Sequence, residues 1–458
     1  MSDLLRSTAE RAARYLRDIE TRSVAPSEEA IAGLAAFDVE LQDETIPPQR
    51  VIAELDTIGS PATMAMAGPR FFGFVIGGSL PVTVASNWLA TAWDQNTGLF
   101  ISTPGTSKLE QVSLRWLLDL FGLPSTCAGA FVTGTTVAHI TSLAAARHAV
   151  LAKVGWDVEA QGLFHAPEIT VITSAESHPT LFKALGVVGF GRNRVVKVPT
   201  DAHGRMRPDA FPKINGPTIV CTQAGNVNTG ACDTIAEICE RANGAWVHVD
   251  GAFGLWARVA PTRKHLVEGI ERADSWATDG HKWLNVPYDS GIAFVRDGDA
   301  LRRSMAISAE YLPTETPQRN PSDYTPELSR RARGVDVWAA LRHLGRSGVA
   351  EMIERNCRQA RRFGEELAAA GYPILNEIAL NQVLVSFGDA ATTRRVIAAL
   401  QREGTCWCGE TVWQGQTAMR ISVSSWATTD DDVERSIEAM VRVARAHGGG
   451  TREAVATR

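Results

Sequence analysis

The sequence predicts an α/β protein with a largely parallel sheet, followed by a smaller α+β domain. From residue 79 to about residue 295, short apolar runs alternate with helical stretches, which is typical of a parallel sheet covered on both faces. In the last third, short strands alternate with longer helices. The 458 residues also exceed a single core of about 250–300 residues, so two lobes are expected.

The N-terminal segment, residues 1–65, is predicted to be a helical arm interrupted at Pro47. Leu34, Phe37 and Leu41 recur at helical spacing. Because an extended arm of this kind has little to bury against within its own chain, we expect it to wrap a partner subunit.

The large domain is predicted to span residues 66–334. Its helices are expected at residues 86–93, 107–121, 137–153 and 234–242. Its strands are expected at residues 130–132, 169–173, 195–198, 218–222 and 245–249. Residues 307–330 are rich in Pro, Ser, Thr and Glu, which predicts a mobile loop.

The small C-terminal domain is predicted to span residues 335–458. Its helices are expected at residues 335–344, 349–370, 392–403 and 430–446. Its strands are expected near residues 382–387 and 418–423, and the tail from residue 448 is expected to be frayed.

Composition excludes several classes of partner. A net charge of −5, from 46 basic and 51 acidic residues, gives no electrostatic case for nucleic acid or an anionic membrane. No segment reaches the roughly 18 apolar residues of a membrane span, and the N-terminus lacks the apolar stretch of a signal peptide. We therefore expect a soluble, cytoplasmic protein that binds a small polar molecule.

The seven cysteines are scattered and odd in number, which argues against a disulfide framework and for a reducing compartment. Cys406 and Cys408 form a CxC pair, but no second pair or nearby histidine completes a zinc-binding set. No metal site is predicted.

Two residues have the chemistry of a covalent cofactor site. Asp250 follows an apolar strand, where a lone carboxylate is costly unless its charge is compensated. Lys282, in the run Asp279-Gly280-His281-Lys282-Trp283, precedes apolar residues and is predicted to be partly buried. An amine that forms an imine and an acid that holds a pyridinium proton are the groups that pyridoxal phosphate (PLP) chemistry most needs. A helix N-cap for Asp250 and a surface position for Lys282 are the alternatives.

Two further segments follow predicted strands, where ligands bind in open parallel sheets. The first is a loop before a helix, whose amides and hydroxyls are predicted to hold a phosphate, with ordinary helix capping as the alternative. It consists of Thr133, Gly134, Thr135 and Thr136. The second contains His178, whose flat ring could lie on a planar cofactor, although a lone histidine there is more often a loop or core residue.

Ordered motifs between residues 69 and 430 resemble those of the group II PLP-dependent amino acid decarboxylases, which include aromatic L-amino acid and glutamate decarboxylases. The motifs are PRFFGF at residues 69–74, ESH at 176–178, GNVNTGACD at 225–233, HVDGAF at 248–253, DGHKWL at 279–284, PYDSG at 287–291 and SRRAR at 329–333. The resemblance implies fold type I (aspartate aminotransferase-like), with a mostly parallel seven-stranded sheet. It also implies a homodimer whose sites are built partly by the other subunit.

The same resemblance implies roles for individual residues. Lys282 is similar to the lysine that bonds to PLP, Asp250 to the pyridinium partner and His178 to the ring that stacks on the cofactor. The remaining implied cofactor contacts are Thr133, Gly134, Thr135, Thr136, Ala252, Asp279 and His281. Tyr311 is similar to the loop tyrosine that protonates the substrate carbon after loss of carbon dioxide. The chain departs from the family pattern at Val137 and His139, which replace a Glu and an Asn.

The expected activity is therefore decarboxylation of an L-amino acid to an amine. An aminotransferase or aldehyde-forming synthase on the same fold remains an alternative, and a non-catalytic cofactor-binding homologue is a further one. Phe72 and Phe100 are candidates for an aromatic substrate pocket, which favours an aromatic over an acidic substrate. Arg420 is a candidate for binding the substrate carboxylate.

Overall fold

The computed structural model describes residues 2–307 and 318–448. The chain divides into two compact units. The larger unit comprises Gly77–Ala360 and Asn376–Gln382, and the smaller unit comprises Met1–Ile76, Arg361–Leu375 and Val383–Arg458. The smaller unit thus contains both the N-terminal segment and most of the C-terminal one, whereas the three-part division expected from the sequence stays a prediction.

A seven-stranded sheet forms the centre of the larger unit, in the order β1-β7-β6-β5-β4-β2-β3. Its strands are β1 Ala128–Val132, β2 Thr170–Ser174, β3 Val196–Val198, β4 Thr218–Gln223, β5 Trp246–Asp250, β6 Ser275–Asp279 and β7 Gly291–Val295. Strand β7 runs antiparallel to both of its neighbours, and the remaining strands run parallel to one another. The mostly parallel, seven-stranded sheet expected from the family resemblance is confirmed.

Helices connect the strands of this sheet. Within the larger unit they are α5 Pro81–Trp93, α6 Pro104–Phe121, α7 Thr135–Ala152, α8 Val158–Gln161, α9 Pro179–Val187, α10 Ile235–Arg241 and α11 Gly298–Met305. Helices α5, α6 and α9 begin with proline, whose fixed φ suits the first helical turn and whose missing N–H is not needed there. Leu143 and Leu151 of α7 belong to a fully buried apolar cluster that also contains Ile219 of β4. Burial of this face fixes α7 against the sheet.

Helix α12, Gly334–Ala369, begins in the larger unit, and its last residues belong to the smaller one. Its course is interrupted at Gly345, where φ is 60° and ψ is −178°. This interruption lies between the two helices that the sequence predicts, and a glycine tolerates the left-handed φ without steric cost.

The smaller unit contains a three-stranded sheet in the order β8-β10-β9. Its strands are β8 Gln382–Val385, β9 Gly409–Trp413 and β10 Gln416–Ser422. Its helices are α1 Ser2–Asp18, α2 Glu28–Gly33, α3 Pro48–Glu54, α4 Ser60–Ala62, α13 Ala390–Glu403 and α14 Asp430–Ala446. The sequence pattern predicts β8 and β10 but misses β9, because only one residue of that strand is buried and no apolar run marks it.

A buried arginine joins three parts of the smaller unit. Arg70 is 3% exposed, and its Nη1 lies 2.7 Å from Asp432 Oδ1. Its other nitrogens donate to the carbonyl oxygens of Glu20 and Thr405, each at 2.8 Å. Asp432 also completes the capping box of α14 with Thr429. Arg70 therefore holds together the N-terminal segment, the residues before β9, and α14.

No residue of helices α1 to α4 is buried, although this segment carries several large apolar side chains. Leu34, Phe37 and Leu41 are 39%, 41% and 92% exposed. Among the described residues, no helix is both long enough and apolar enough to cross a membrane.

Candidate active site

The carboxyl ends of β5 and β6 bring two acidic side chains to one edge of the larger sheet. Asp250 is the last residue of β5, paired with Gln223 of β4 and Ala277 of β6. Asp279 is the last residue of β6. This is the edge at which ligands bind in open α/β sheets, so the predicted position of the site on the fold is supported by topology.

Asp279 connects the predicted phosphate loop to the predicted cofactor lysine. Its Oδ1 accepts a hydrogen bond from the N–H of Thr135 at 2.7 Å, and its Oδ2 lies 3.0 Å from Lys282 Nζ. Burial on its own raises the pKa of Asp279, but the charge of Lys282, together with the hydrogen bonds from Thr135 and Lys282, outweighs burial and lowers it. Asp279 is therefore an anion that holds the start of α7 and the lysine amine close together.

Lys282 is partly buried, with 23% of its side chain exposed. The following residues are fully buried, and Trp283 anchors the segment through a 3.0 Å hydrogen bond from its Nε1 to Asn356 Oδ1. The backbone at Gly77 packs directly against the Lys282 backbone, because a Cβ at Gly77 would lie 2.0 Å from the Lys282 carbonyl oxygen. The lysine thus projects from a fixed backbone, as covalent attachment of a cofactor requires.

His281 lies against the phosphate loop. A Cβ built on Gly134 would lie 3.3 Å from His281 Cε1, and the His281 ring stacks on Tyr288 with 4.2 Å between ring centroids. Its Nδ1 accepts the N–H of Ser290 at 3.0 Å, so Nε2 carries the ring proton. Burial lowers the pKa of His281, which keeps the ring largely neutral near pH 7.

The loop itself fits a phosphate group. The N-terminus of α7 begins at Thr135, directly after Gly134, and helix N-termini favour anions. Two buried hydroxyl oxygens here, Thr135 Oγ1 and Ser290 Oγ, have no hydrogen-bond partner within the part of the chain that the structure describes. Buried hydroxyls are rarely left unpaired, so a ligand with several acceptor oxygens matches this loop.

Asp250 is the second anion of the site. It is 8% exposed, its Oδ1 accepts the Ala252 N–H at 3.2 Å, and its Oδ2 lies 3.4 Å from His139 Nε2. Burial raises the pKa of Asp250, but the His139 ring outweighs burial, and the combined result is a pKa well below the usual range. The charges of His178 and Lys282 act in the same direction. Asp250 is therefore ionised and suited to a cationic partner.

His178 caps helix α9. Its backbone is extended at the N-cap position, and its Nδ1 accepts the N–H of Thr180 at 3.3 Å. Thr180 Oγ1 also lies 2.7 Å from Nδ1. These contacts fix the ring at the N-terminus of α9. The sequence alone did not indicate this capping role.

The residues predicted to contact the substrate belong to other segments of the chain. Tyr311 falls outside the described residues. Phe72 and Arg420 belong to the smaller unit; Phe72 is 1% exposed and packs edge-on against Phe363 at 5.1 Å between centroids, and burial lowers the pKa of Arg420. Phe100 is half-buried in the larger unit, and its N–H donates to Asn320 Oδ1. The substrate roles assigned to these residues stay predictions.

The structure also places residues in the site that the sequence reading did not assign to it. Behind Asp250, His139 Nδ1 lies 2.8 Å from His248 Nε2, and His248 Nδ1 lies 2.8 Å from Ser275 Oγ. His248 and Asp250 are two residues apart on one strand, so they share a face of the sheet. That spacing was the available signal for His248, whereas the position of His139 depends on how α7 packs on β5.

Comparison with known proteins agrees with this geometry. Residues 32–388 match the pyridoxal-dependent decarboxylase conserved domain. An aromatic-L-amino-acid decarboxylase of Bacillus atrophaeus is 30% identical over 62% of this chain, and the match spans 60% of the length of that relative. Tryptophan decarboxylase 1 of Oryza sativa subsp. japonica is 27% identical over 84% of each chain.

Relatives of similar identity have other named activities. They include an L-2,4-diaminobutyrate decarboxylase of Rhizobium meliloti, 28% identical over 86% of this chain and 82% of that one, and an acidic amino acid decarboxylase of Bos taurus, 28% identical over 74% and 67%. A phenylacetaldehyde synthase of Petunia hybrida is 25% identical over 70% of this chain and 67% of that one.

Solved structures establish the fold. The crystal structure of Oryza sativa TDC with PLP and tryptamine superposes with a TM-score of 0.89 at 23% identity, covering 97% of this chain and 98% of that one. Fold type I, expected from the sequence, is thereby confirmed, and the match to the pyridoxal-dependent decarboxylase domain confirms the expected PLP cofactor. The chain belongs to the pyridoxal-dependent decarboxylases, a family of PLP-using carboxy-lyases.

Proposed function

We propose that this chain converts an aromatic L-amino acid to its amine and carbon dioxide, with PLP attached at Lys282. The observation that carries the proposal is the convergence of Lys282, Asp250 and the loop before α7 at one edge of the larger sheet. The family assignment supports the reaction class, and two paired arginines support the aromatic substrate class.

Each residue has a definite task in this proposal. PLP, when bound, accepts the electrons released as a bond at the substrate α-carbon breaks. Asp250, ionised and buried, keeps a proton on the pyridine nitrogen. Thr135 and its neighbours in the loop would receive the phosphate. His178, fixed as the N-cap of α9, would supply a flat surface for the ring. Lys282, whose Nζ lies 3.0 Å from Asp279 Oδ2, would provide the amine that holds the cofactor.

Substrate orientation decides between the reactions that this fold supports. A carboxylate held perpendicular to the ring and shielded from water is the group that leaves. We assign carboxylate binding to Arg420 and proton delivery to the substrate carbon to Tyr311. Both assignments rest on the family resemblance.

Two arginines favour an aromatic over an acidic substrate. Arg70 and Arg333 are the residues of the family motifs that could meet an acidic side chain. Arg70 is already paired with Asp432 at 2.7 Å, and Arg333 Nε lies 2.9 Å from Asp289 Oδ1, with side chains only 3% and 5% exposed. Since both guanidinium groups are already engaged by protein carboxylates, neither is available to a substrate carboxylate without breaking an existing ion pair.

A panel of amino acids tests the proposal. The purified protein with PLP is given tryptophan, tyrosine, 3,4-dihydroxyphenylalanine, glutamate, aspartate, cysteine sulfinate and 2,4-diaminobutyrate, while carbon dioxide, amine, aldehyde and keto acid are measured. We expect carbon dioxide and amine in equal amounts from one or more aromatic substrates. Preference for an acidic or diamino substrate contradicts the substrate class, and keto acid without carbon dioxide contradicts the reaction.

Aldehyde formation is the second candidate because a relative is named for it. The two reactions differ in product: consumption of oxygen and water with release of carbon dioxide, aldehyde, ammonia and hydrogen peroxide, in place of amine, identifies the synthase. The presence of Tyr311 favours the decarboxylase, since a proton donor at this position returns a proton to the substrate carbon.

We further propose a homodimer. Helices α1 to α4 bury none of their residues, and Leu41 is 92% exposed, so this segment has apolar surface available for a second copy. Sedimentation velocity is expected to give a dimer, and a Leu41→Asp variant is expected to shift the equilibrium towards monomer. A wild-type protein that is monomeric at micromolar concentration and fully active would contradict the proposal.

A further inference from the structure

A chain of four buried polar side chains leads from the sheet interior to Asp250. Trp246 Nε1 donates to Ser275 Oγ at 2.8 Å, and Ser275 Oγ lies 2.8 Å from His248 Nδ1. His248 Nε2 lies 2.8 Å from His139 Nδ1, and His139 Nε2 faces Asp250 Oδ2 at 3.4 Å. Ser275, His248 and His139 are 0% exposed, so water cannot substitute for any of these partners.

The tryptophan end allows one direction of the hydrogen bonds, and the Asp250 end selects it. An indole N–H can only donate, so Ser275 Oγ accepts from Trp246 and has its own proton to give. With that proton on His248 Nδ1, the other nitrogen of His248 must donate to His139 Nδ1. His139 then carries its proton on Nε2, the nitrogen that faces the carboxylate.

The opposite direction is disfavoured at the other end of the chain. If His139 donated from Nδ1, its neutral Nε2 would present a lone pair to the Asp250 carboxylate in a buried site. Two acceptors without a proton between them are repulsive, and the cost is greatest where no water can intervene. Within the described residues, His139 Nε2 has no partner that meets hydrogen-bond geometry, and the Asp250 oxygen at 3.4 Å is the carboxylate oxygen that it faces.

We propose that His139 is a positioning residue for Asp250, and that Trp246, Ser275 and His248 hold it with its Nε2–H directed at the carboxylate. This inference rests on the proposed function, in which Asp250 faces the cofactor ring nitrogen. The family pattern does not imply this role, because the family carries Asn at the position of His139.

The hydrogen-bonded chain from Trp246 through Ser275 and His248 to His139, the relay, would have two consequences for Asp250. It turns the Nε2–H of His139 towards one carboxylate oxygen at 3.4 Å, while the Ala252 N–H donates to the other, so each oxygen of Asp250 faces a donor. Donors on both oxygens favour the ionised form, so Asp250 keeps its charge for a cationic partner. Burial lowers the pKa of His248 to about 3, which keeps that ring neutral in the relay at ordinary pH.

Nitrogen-15 NMR of histidine-labelled, deuterated protein tests the tautomers directly, with and without PLP. Resonances of the two rings are assigned by their loss in His139→Gln and His248→Gln. We expect both rings to be Nε2–H tautomers, and Ser275→Ala to weaken that preference in His248. A dominant Nδ1–H tautomer of His139 in the wild-type protein overturns the proposal.

Cofactor affinity gives a second readout. His139→Leu removes the donor, while His139→Gln retains an N–H near the position of Nε2. A hydrogen bond to a charged group is typically a factor of about 10 to 100 in an equilibrium constant, so we expect the PLP dissociation constant of His139→Leu to rise by about tenfold or more. His139→Gln is expected to recover most of that loss.

Ser142→Ala is the matched control. Ser142 is on the same helix, is fully buried, and its Oγ has no hydrogen-bond partner in the described part of the chain. It should therefore bind PLP like the wild type. Equal affinities for wild type and a folded His139→Leu would reject the positioning role.

The two proposals fail separately. If wild-type protein acquires no absorbance that depends on Lys282, the proposed function fails, while the tautomers measured without PLP still test the relay. If the wild type binds PLP and releases carbon dioxide but His139 is the Nδ1–H tautomer, only the relay fails.

Discussion

Gly291→Ala tests whether the loop before α7 holds the cofactor phosphate. Gly291 begins β7, and its antiparallel partner on β1 is Val132. A Cβ added at Gly291 would lie 2.4 Å from Gly134 Cα and 2.6 Å from Gly134 N. Both contacts are with backbone, so no side-chain rotation can relieve them, and the loop itself must move.

The size of the effect follows from these distances. Ordinary contact requires the loop to retreat by about 1 Å. Overpacking of this kind costs about 1–3 kcal/mol of unfolding free energy. A 1 Å retreat also stretches a hydrogen bond of about 2.9 Å beyond its useful range. Since a hydrogen bond to a charged group contributes about 1.5–3 kcal/mol, PLP affinity should fall by about tenfold or more.

Parallel urea unfolding of the PLP-free and PLP-bound proteins, with PLP titrations, provides the assay. Gly105→Ala is the control, because a Cβ there meets nothing within 4 Å and the residue lies near the start of α6. It should change stability by less than about 0.5 kcal/mol. Unchanged PLP affinity in a destabilised Gly291→Ala would refute the phosphate-loop assignment, and unchanged stability would refute the close approach.

Three further outcomes are expected. Arg70→Ala should lower the free energy of unfolding by about 3 kcal/mol because it leaves Asp432 without its buried partner, whereas Arg394→Ala, at an exposed pair, should cost less than about 0.5 kcal/mol in the same denaturation experiment. His248 has its pKa lowered from 6.5 to about 3 by burial, so between these values the unfolded chain binds a proton that the folded protein does not. The free energy of unfolding should fall as pH drops through this window. His248→Gln should reduce the slope of that free energy against pH by up to one proton, about 1.4 kcal/mol per pH unit. Identical slopes for the variant and the wild type would contradict this. Tyr311→Phe should slow amine formation and shift product towards aldehyde, and unchanged amine output would reject its assigned role.

The arrangement of the sheet was largely predictable. Strands such as β4 and β5 are buried on both faces and therefore appear as continuous apolar runs, and the alternating helices reveal the parallel connection. Lys282 and Asp250 could also be singled out as candidate site residues. A lysine next to buried apolar residues and a carboxylate at the end of a buried strand are both charged groups at positions where charges are rare.

Contacts that depend on packing between distant segments were less accessible. Nothing in the spacing of His139 and His248 fixes the 2.8 Å between their rings, since this distance depends on how α7 lies on β5. The salt bridge from Arg70 to Asp432 spans most of the chain for the same reason. Phe72 illustrates the opposite difficulty, because an aromatic residue in a motif has the same sequence signal whether it lines a pocket or packs on Phe363.

The most direct test of the central claim is to reduce the PLP-bound wild-type protein with sodium borohydride and map the modified peptide by mass spectrometry. The account predicts a single pyridoxyl group on Lys282, and no modification together with no carbon dioxide release in Lys282→Ala. A pyridoxyl group on another lysine, or carbon dioxide release that survives the loss of Lys282, would contradict it.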